Sequence, residues 1–395
     1  MRALLLPVYV PTLLLSFGQA IVVPTLPLYA RAFGVSFSLI SLAVAAAGVG
    51  TMFADVPSGM MLERLGRRPM MLMGCLLIGI SAFGSLMAGT YGVLVAFRVL
   101  GGMGSAFWGI SRMAYLTDVV PLAQRGRAIA SFGGINRIGA FSGPAIGGLL
   151  AQRFGLASPF ACTAVTAIIA GVVSYLYVAE SGRKAAAGHR GMRWNVVATV
   201  VQTHYKELFA AGSAQIFAQM IRAGRQIIVP LYGATVLGLD IGAVGAIVSL
   251  SAAVDMALFI PAGVVMDRFG RKFASVPSFV IMAIGMALVP LSYNFASLAV
   301  ATMVMGIGNG MGSGTMMTLG ADLAPRKATG EFLGVWRLIG DVGSAGGPLV
   351  VGAIADIVGL GLAAGVLSGV GLFAALTLML FVEETLNRPV SPVTE

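Results

Sequence analysis

Long apolar runs recur along the whole chain, and no other feature restricts its fold as strongly. A helix needs about 20 apolar residues to cross the hydrocarbon core of a membrane. Strands of a membrane β-barrel would instead alternate over about ten residues. The runs therefore predict an all-α polytopic membrane protein with twelve transmembrane helices. They lie approximately at 6–29, 37–61, 70–89, 91–116, 128–151, 157–179, 208–233, 241–265, 273–293, 295–320, 331–354 and 361–382.

Charged residues are scarce, which excludes most soluble classes of protein. Only 10% of the residues are Asp, Glu, Lys or Arg, whereas a soluble domain carries about 25%. The net charge of +10 therefore indicates positive loops at an anionic membrane face, and no nucleic-acid partner is expected. Cys75 and Cys162 both lie in apolar runs. Isolated cysteines in such runs are typical of small buried side chains, so no metal site is predicted.

The basic residues outside the runs fix an orientation. If the N-terminus is cytoplasmic, the cytoplasmic segments hold seventeen Lys and Arg residues, and the outer loops hold only Arg31 and Arg153. Cytoplasmic loops of membrane proteins carry the excess of Lys and Arg. The sequence therefore predicts that both termini are cytoplasmic, in a multi-pass protein of the cell (inner) membrane.

The halves of the chain repeat with a shift of 204 residues. Pro57-Ser58-Gly59 and the loop that follows match Pro261-Ala262-Gly263 and its loop, and the shift also relates Asp118 to Asp322. Segments from the second run to the sixth keep this register, which is the signature of an internal repeat. We predict a first six-helix bundle at 1–180, a cytoplasmic linker at 181–207 and a second bundle at 208–395.

A duplicated basic loop suggests a gate. Arg67 lies between Glu63 and Asp118 at the cytoplasmic end of the first bundle, and an equivalent set recurs in the second bundle. An ion network there would latch helix ends in one access state and release them in the other; the alternative is a loop that only anchors the topology. The predicted gating residues are Gly59, Glu63, Arg64, Arg67, Asp118, Asp267, Arg268, Arg271 and Asp322.

Several motifs resemble the major facilitator superfamily, over nearly the whole chain. Arg98-x-x-Gly101-Gly102-x-Gly104 is similar to one family motif, and Gly18 followed by Pro24-x-x-Pro27 is similar to a motif of the twelve-helix drug exporters. The loop motif is matched by Gly59, Glu63, Arg64, Gly66, Arg67 and Arg68. The motif of the drug–proton antiporters is resembled by Gly139, Gly143, Pro144, Gly147 and Gly148. The resemblance implies two pseudo-symmetric six-helix bundles that alternate in access.

Six arginines fall inside the runs, against three acids. Each arginine would cost about 2.5–3.5 kcal/mol at a lipid-facing helix centre, so the six must face water, a partner or substrate. In the seventh run, Gln215, Gln219, Arg222 and Gln226 share one helical face, which indicates a cavity lining. The predicted substrate-binding residues are Gln19, Trp108, Arg112, Gln219, Arg222, Arg225, Gln226 and Asn309.

The resemblance also implies contacts between the halves. It places Arg137 near Asp255, and Asp55 near Arg337, although Arg337 could instead pair with Asp341 in its own helix. The predicted proton-coupling residues are Asp255 first and Asp341 second, with Arg137 and Arg98. A permanent structural pair between Asp255 and Arg137 is the alternative to coupling.

The favoured function is a secondary active transporter that exports amphipathic small molecules by proton-coupled antiport. The alternative is a carrier of an anionic or polar metabolite in an arginine-lined cavity. A membrane enzyme is a third class, but His189 and His204 lie in the linker and no catalytic cluster is evident. No nucleotide-binding motif occurs, so ATP is not expected to drive transport directly. No cofactor is predicted. The expected partners are substrate, protons or another ion, and membrane lipids, around a monomer.

Overall fold

The computed structural model describes residues 4–179, 194–325 and 328–386. Residues 181–193 of the predicted linker lie outside this part. The described chain is almost entirely helical, with short turns between helices. Its α-helices are α1 Val10–Val22, α2 Leu26–Arg31, α3 Phe37–Leu65, α4 Arg67–Leu86, α5 Tyr91–Val119, α6 Leu122–Phe154, α7 Ser158–Tyr177, α8 Trp194–Thr203, α9 Tyr205–Leu231, α10 Ile241–Phe269, α11 Arg271–Leu288, α12 Phe295–Met311, α13 Thr315–Leu323 and α14 Thr329–Phe381.

Each of the twelve apolar runs coincides with helix, and the predicted all-α membrane fold is confirmed. Within the described ranges, nine segments are long and apolar enough to cross a membrane by length and composition. Helices α6 and α9 are not among them, because polar and charged residues interrupt their apolar sequence. The 53 residues of α14 count once, although two predicted runs lie within it. The number of twelve crossings stays a prediction.

Two of the apolar runs are each divided into two helices, at a proline in one and at a glycine in the other. The first run is divided between α1 and α2 at Pro24, which lacks a backbone N–H. The tenth run is divided between α12 and α13 at Gly314, whose φ is +79°. The helix ends also differ from the predicted run ends by up to six residues, since α6 begins at Leu122 while its apolar run begins at 128.

The 204-residue repeat extends to the backbone. Positive φ angles occur at Gly34 and Gly238, at Gly66 and Gly270, and at Gly155 and Gly359, and each pair is separated by this shift. Such angles favour glycine because a Cβ atom would clash with the backbone. Gly155 ends α6, and Gly359 is the one non-helical residue inside α14. The repeat therefore reproduces the same turn at the same place in each half.

Helix starts repeat as well. Ser36 accepts a hydrogen bond from the backbone N–H of Leu39, and Asp240, 204 residues later, accepts one from Ala243. Thr90 and Asn294 form a second pair of N-caps with the same shift. Side chains of these types satisfy the free N–H groups of a first helical turn. The local signals that start the helices are thus duplicated together with the helices.

The helices form two groups that meet along two seams. Helices α1 to α7 pack against one another and form the first half; α9 to α14 form the second half. The seams join α3 to α14 and α6 to α10. We call the end of the molecule with the Gly66 and Gly270 turns the basic face, and the other end the opposite face. The cavities described next lie between these two ends.

Candidate functional site

A cavity with a partly polar lining lies within the first half, and we call it the first-half cavity. It has a volume of about 450 Å³ and receives one residue, Gln226, from the second half. Its polar lining includes Gln19, Thr51, Arg98 and Asn136. The Gln19 amide donates a 3.0 Å hydrogen bond to Ser105. Predicted residues from α1, α5 and α9 therefore meet around one space.

Two smaller cavities lie between the halves. One has a volume of about 150 Å³ and is lined by Arg225, Gln226 and Asp255, and we call it the carboxylate cavity. The other has a volume of about 270 Å³ and is lined by Gln219, Arg222 and Gln226. Gln226 thus borders all three spaces, as the polar face of the seventh run suggested. Asn309 does not line them, but contacts Asp255.

Asp255 connects three helices. Its Oδ2 accepts a 2.7 Å hydrogen bond from the Asn309 amide of α12. Its Oδ1 lies 4.0 Å from Nε of Arg137, which belongs to the first half. Oδ1 of Asp255 and Nε of Arg137 are both buried and have no hydrogen-bond partner in the described chain. The resemblance implied this proximity, and the structure shows an ion pair that is close but not hydrogen-bonded.

Arg137 is held by further contacts that the sequence did not reveal. Its guanidinium donates a hydrogen bond to the Ser313 hydroxyl. It also stacks over the Phe259 ring at 3.9 Å, a distance at which a cation is attracted to an aromatic face. Ser313 and Phe259 belong to the second half, so Arg137 connects the halves even without Asp255. The sequence gives no signal for either contact, because Ser313 and Phe259 are both distant from Arg137 along the chain.

Arg222 and Arg98 differ in their surroundings. Arg222 donates a 2.9 Å hydrogen bond to the Gly312 carbonyl and lies 5.1 Å from the centre of the Phe279 ring. Arg98 lines the first-half cavity, its Nε is buried without a partner, and no acid lies within 4.0 Å in the described ranges. A guanidinium remains protonated in proteins, so the charge of Arg98 is not matched by the described chain.

Arg337 bridges both of the acids proposed for it. Its guanidinium lies 3.3 Å from Asp55 of α3 and 3.8 Å from Asp341 of its own helix. The two arrangements left open by the sequence therefore occur together. Since Asp55 and Arg337 belong to different halves, this contact crosses the α3–α14 seam.

Besides Asn309, two predicted substrate-binding residues lie outside the cavity linings. Trp108 is 5% exposed and packs among apolar side chains that include Met71 and Leu15. Arg112 stacks on the Phe132 ring at 3.9 Å. Neither residue lines the three polar cavities of the described chain. The aromatic side chain of α5 faces the first-half core, and substrate binding by these two residues stays a prediction.

The basic-face ion pairs form in both halves with equal geometry. Nε of Arg67 lies 2.8 Å from Oδ2 of Asp118, and Nε of Arg271 lies 2.8 Å from Oδ2 of Asp322. Four of the predicted gating residues are therefore paired as expected. Asp267 adds a 3.8 Å contact to Arg271.

Glu63 is an exception within the predicted network. In the described part of the chain no cation lies within 4.0 Å of its carboxylate. Its side chain points to solvent, and Gly66 with its φ of +88° separates it from Arg67. The two residues therefore do not share one helical face. Arg64 and Arg268 are also outside the ion pairs of the described residues, and a Cβ atom added to Gly59 would have no neighbour within 4 Å.

A carboxylate that follows α14 also contacts the second-half loop. Glu384 accepts 2.9 Å hydrogen bonds from the backbone N–H groups of Arg271 and Lys272, at the start of α11. Burial raises the pKa of Glu384, but these and two following backbone N–H groups lower it further, so that its pKa lies below the ordinary value. Thr385 donates a 2.7 Å hydrogen bond to Asp322. The segment after α14 is thereby fastened to the ion pair.

The glycine motif of α6 is a packing surface. A Cβ atom on Gly143 would lie 2.6 Å from the Ala20 Cβ, and one on Gly139 would lie 2.7 Å from the Phe17 nitrogen. Gly147 likewise faces the Ile21 backbone, whereas Gly148 faces Ile241 of the second half. The small residues let backbones approach closely. Helix α6 is therefore packed against α1 on one side and α10 on the other.

Beside Pro144, a serine of the second half forms hydrogen bonds with the backbone of α6. The Ser249 hydroxyl of α10 accepts a 2.8 Å hydrogen bond from the Ala145 N–H and donates a 2.7 Å hydrogen bond to the Phe141 carbonyl. It thus stands between the two groups that a regular helix would pair directly. Two backbone groups of α6 therefore have a partner that belongs to the second half.

Comparisons with known proteins give one consistent result. The sequence model described as Major Facilitator Superfamily matches residues 9–221 and 212–395. An MFS-type transporter of Methanocaldococcus jannaschii is 22% identical over 89% of this chain and 91% of its own length. Multidrug resistance protein 2 of Bacillus subtilis is 30% identical, but over only 42% of this chain and 41% of its own.

A solved structure supports the same fold. The crystal structure of a D-xylose–proton symporter superposes with a TM-score of 0.79 and covers 97% of this chain and 98% of that one. The two sequences are 18% identical. At this identity, the superposition shows the fold and nothing about substrate.

Proposed function

This chain belongs to the Major Facilitator Superfamily and is a multi-pass membrane transporter, not an enzyme; from that premise, we propose that it exports amphipathic small molecules in exchange for protons. An ion gradient would supply the energy for transport. The two halves would expose one central site to each side of the membrane in turn. The name of the Bacillus subtilis relative supports export of this kind, although it matches less than half of either chain.

The observation that carries the proposal is the position of Asp255. It is the acid that lines a polar cavity between the halves in the described chain. Its Oδ1 is unbonded and 4.0 Å from Arg137 of the opposite half. A proton and an arginine can neutralise the same carboxylate. When the halves move apart, Arg137 would leave and a proton would take its place.

The contacts between the halves support a state closed at the opposite face. Gly148 packs closely against Ile241 there, and Gly352 packs against the Phe37 carbonyl. Gly59 and Gly263, nearer the basic face, have open space within 4 Å of the point where a Cβ atom would lie. We assign the basic face to the cytoplasm on its arginine content, in the cell inner membrane with both termini cytoplasmic. The site would then open inward in this structure.

Transport by purified protein in proteoliposomes tests the proposal. An imposed pH gradient, acidic inside, should drive accumulation of an amphipathic probe into the vesicles, and a protonophore should abolish it. A panel of cationic dyes and organic anions then identifies the accepted charge. Accumulation that is equal with and without the gradient would contradict proton exchange.

A second candidate function is carriage of an anionic or polar metabolite. The cavities between the halves contain Arg222 and Arg225, against the single acid Asp255 among their lining residues in the described chain. An excess of positive charge at a membrane site favours anions. The same panel distinguishes the two functions, because a metabolite carrier would reject the cationic dyes and accept small polar anions.

A further inference from the structure

We propose that the first-half cavity binds the anionic group of the transported molecule and that Arg98 is the residue that recognises it. The inference rests on the proposed transport function and names the substrate as an organic anion with an apolar body. It concerns a site other than the Asp255 cluster, because every lining residue except Gln226 belongs to the first half.

Arg98 differs from three other arginines of the central region, each of which has a polar partner in the described chain. Arg137 contacts Ser313 and Asp255, Arg222 contacts the Gly312 carbonyl, and Arg337 contacts Asp55. Arg98 has no hydrogen bond or ion pair among the described residues, and its Nε is buried without a partner. Since a guanidinium keeps its charge, an anion that enters the cavity meets a free positive group.

The rest of the lining fits the same ligand. Asn136 and Gln226 line the cavity with amides that make no hydrogen bond within the described chain, and no Asp or Glu of that part is present on its walls. Amide N–H groups and a guanidinium fork together can surround a carboxylate, sulfonate or phosphate. The structure thus provides several donors and no competing acid among the described residues.

The size and the apolar walls indicate the remainder of the ligand. The volume of about 450 Å³ lies within the range of small-molecule pockets, about 300–1,000 Å³. Val22, Ile78 and Phe160 contribute apolar surface. A flat aromatic body with one acid group satisfies both parts of the lining, whereas an inorganic anion would leave the apolar surface uncovered.

Binding of three naphthalene probes tests the inference directly. The probes are 2-naphthoate, 2-naphthamide and 2-naphthylmethylammonium, which share one ring system and carry negative, zero and positive charge. The full chain is placed in phosphatidylcholine nanodiscs at neutral pH, and affinities are measured by calorimetry. We expect naphthoate to bind at least tenfold more tightly than naphthamide, and the ammonium probe to bind weakest.

Variants then assign the preference to Arg98. Arg98→Gln should weaken naphthoate binding at least tenfold and leave naphthamide binding within twofold, and Arg98→Lys should keep part of the preference. Arg153→Gln is the matched control, because it removes an equal charge from an exposed position outside the cavity. If Arg98→Gln cannot be purified in a folded form, Arg98→Lys is measured in its place. Its ratio of naphthoate affinity to naphthamide affinity should then be lower than that of the wild type.

Several outcomes would overturn the inference. They are absence of naphthoate binding, equal binding by wild type and Arg98→Gln, and preference for the ammonium probe. Complete displacement of naphthoate by phosphatidylglycerol in the disc would assign the cavity to a lipid headgroup instead. Failure of the proposed function is separate: naphthoate binding that depends on Arg98, without pH-driven transport, would keep the anion site and remove proton exchange.

Discussion

Asp356 and Ser38 lie in different halves of the chain and are joined at the opposite face. The Asp356 carboxylate accepts a 3.0 Å hydrogen bond from the Ser38 backbone N–H and a 2.5 Å hydrogen bond from its hydroxyl. It also accepts a 2.7 Å hydrogen bond from the Phe37 N–H. These N–H groups are at the start of α3, where the helix dipole favours a negative charge. The contact therefore holds the α3–α14 seam closed at this end.

Removal of this carboxylate should open the opposite face. Asp356→Ala is expected to increase the open population about fivefold, which corresponds to about 1 kcal/mol for a charge at a helix N-terminus. The measurement is the distance between spin labels at positions 32 and 236, with Cys75 and Cys162 replaced by alanine. Both label positions are exposed and belong to different halves.

The control for this experiment is Asp240→Ala. Asp240 caps α10 with a 2.7 Å hydrogen bond from Ala243, so it has the same chemistry within a single half. Its loss should leave the distance distribution unchanged. Equal distributions for wild type and Asp356→Ala would show that the contact does not hold the seam.

The paired arginines of the basic face should matter for turnover. Arg67→Ala and Arg271→Ala each remove a 2.8 Å ion pair, which is worth about 1 kcal/mol if partly exposed. We expect transport to slow about fivefold in either variant while the amount of protein in the membrane stays the same. Arg153→Ala, at an exposed position, serves as the control. Wild-type transport rates in both variants would mean that the loops only set the orientation of the helices in the membrane.

The glycine face of α6 gives a prediction about stability. Gly143→Val would place atoms within 2.6–2.9 Å of Ala20 and Ile21, and overpacking of this kind costs about 1–3 kcal/mol. Thermal unfolding in detergent should occur at a lower temperature than in the wild type. Gly134→Val is the control on the same helix, since no atom lies within 4 Å of its added Cβ. Equal unfolding temperatures for the two variants would mean that the α1–α6 contact tolerates a side chain.

Glu384 predicts a pH dependence of stability. Because its folded pKa lies below the ordinary value of 4.5, its stabilisation is complete above pH 4.5 and is lost as the pH falls through the folded pKa. Glu384→Gln should therefore unfold at a lower temperature than wild type at pH 7, and the difference should disappear in acid. Glu63→Gln has no cap to lose and should show no difference. A Glu384→Gln deficit that persists unchanged in strong acid would contradict this account.

Local features of the fold were accessible from sequence because each depends on a few neighbouring residues. Apolar run length predicted the helices, and the shift of 204 predicted the repeated ion pairs of Arg67 and Arg271. The polar face of α9 predicted that Gln219, Arg222 and Gln226 line cavities. These signals are periodic or duplicated, so no knowledge of distant contacts was required.

Contacts between distant segments were not accessible in the same way. Ser249 bonds backbone groups beside Pro144, yet it does not stand out in its apolar run. Asp356 bonds Ser38, yet it lies in a short segment between two runs and carries no sign of this partner. Trp108 was assigned to the site because it is aromatic and near Arg112, while its burial in the first-half core depends on the packing of several helices. Register between helices decides these contacts, and a single sequence does not contain it.

The central claim is that Asp255 binds the coupled proton, and Asp255→Asn tests it most directly. The variant keeps the shape of the side chain near Asn309 and Arg137 but no longer exchanges a proton. Proteoliposomes are loaded for two assays: uphill accumulation of substrate driven by a pH gradient, and exchange of labelled for unlabelled substrate without a gradient. Asp341→Asn, at the second predicted acid, is measured beside it. The account predicts that Asp255→Asn loses uphill accumulation and retains exchange, and undiminished pH-driven accumulation by this variant would contradict it.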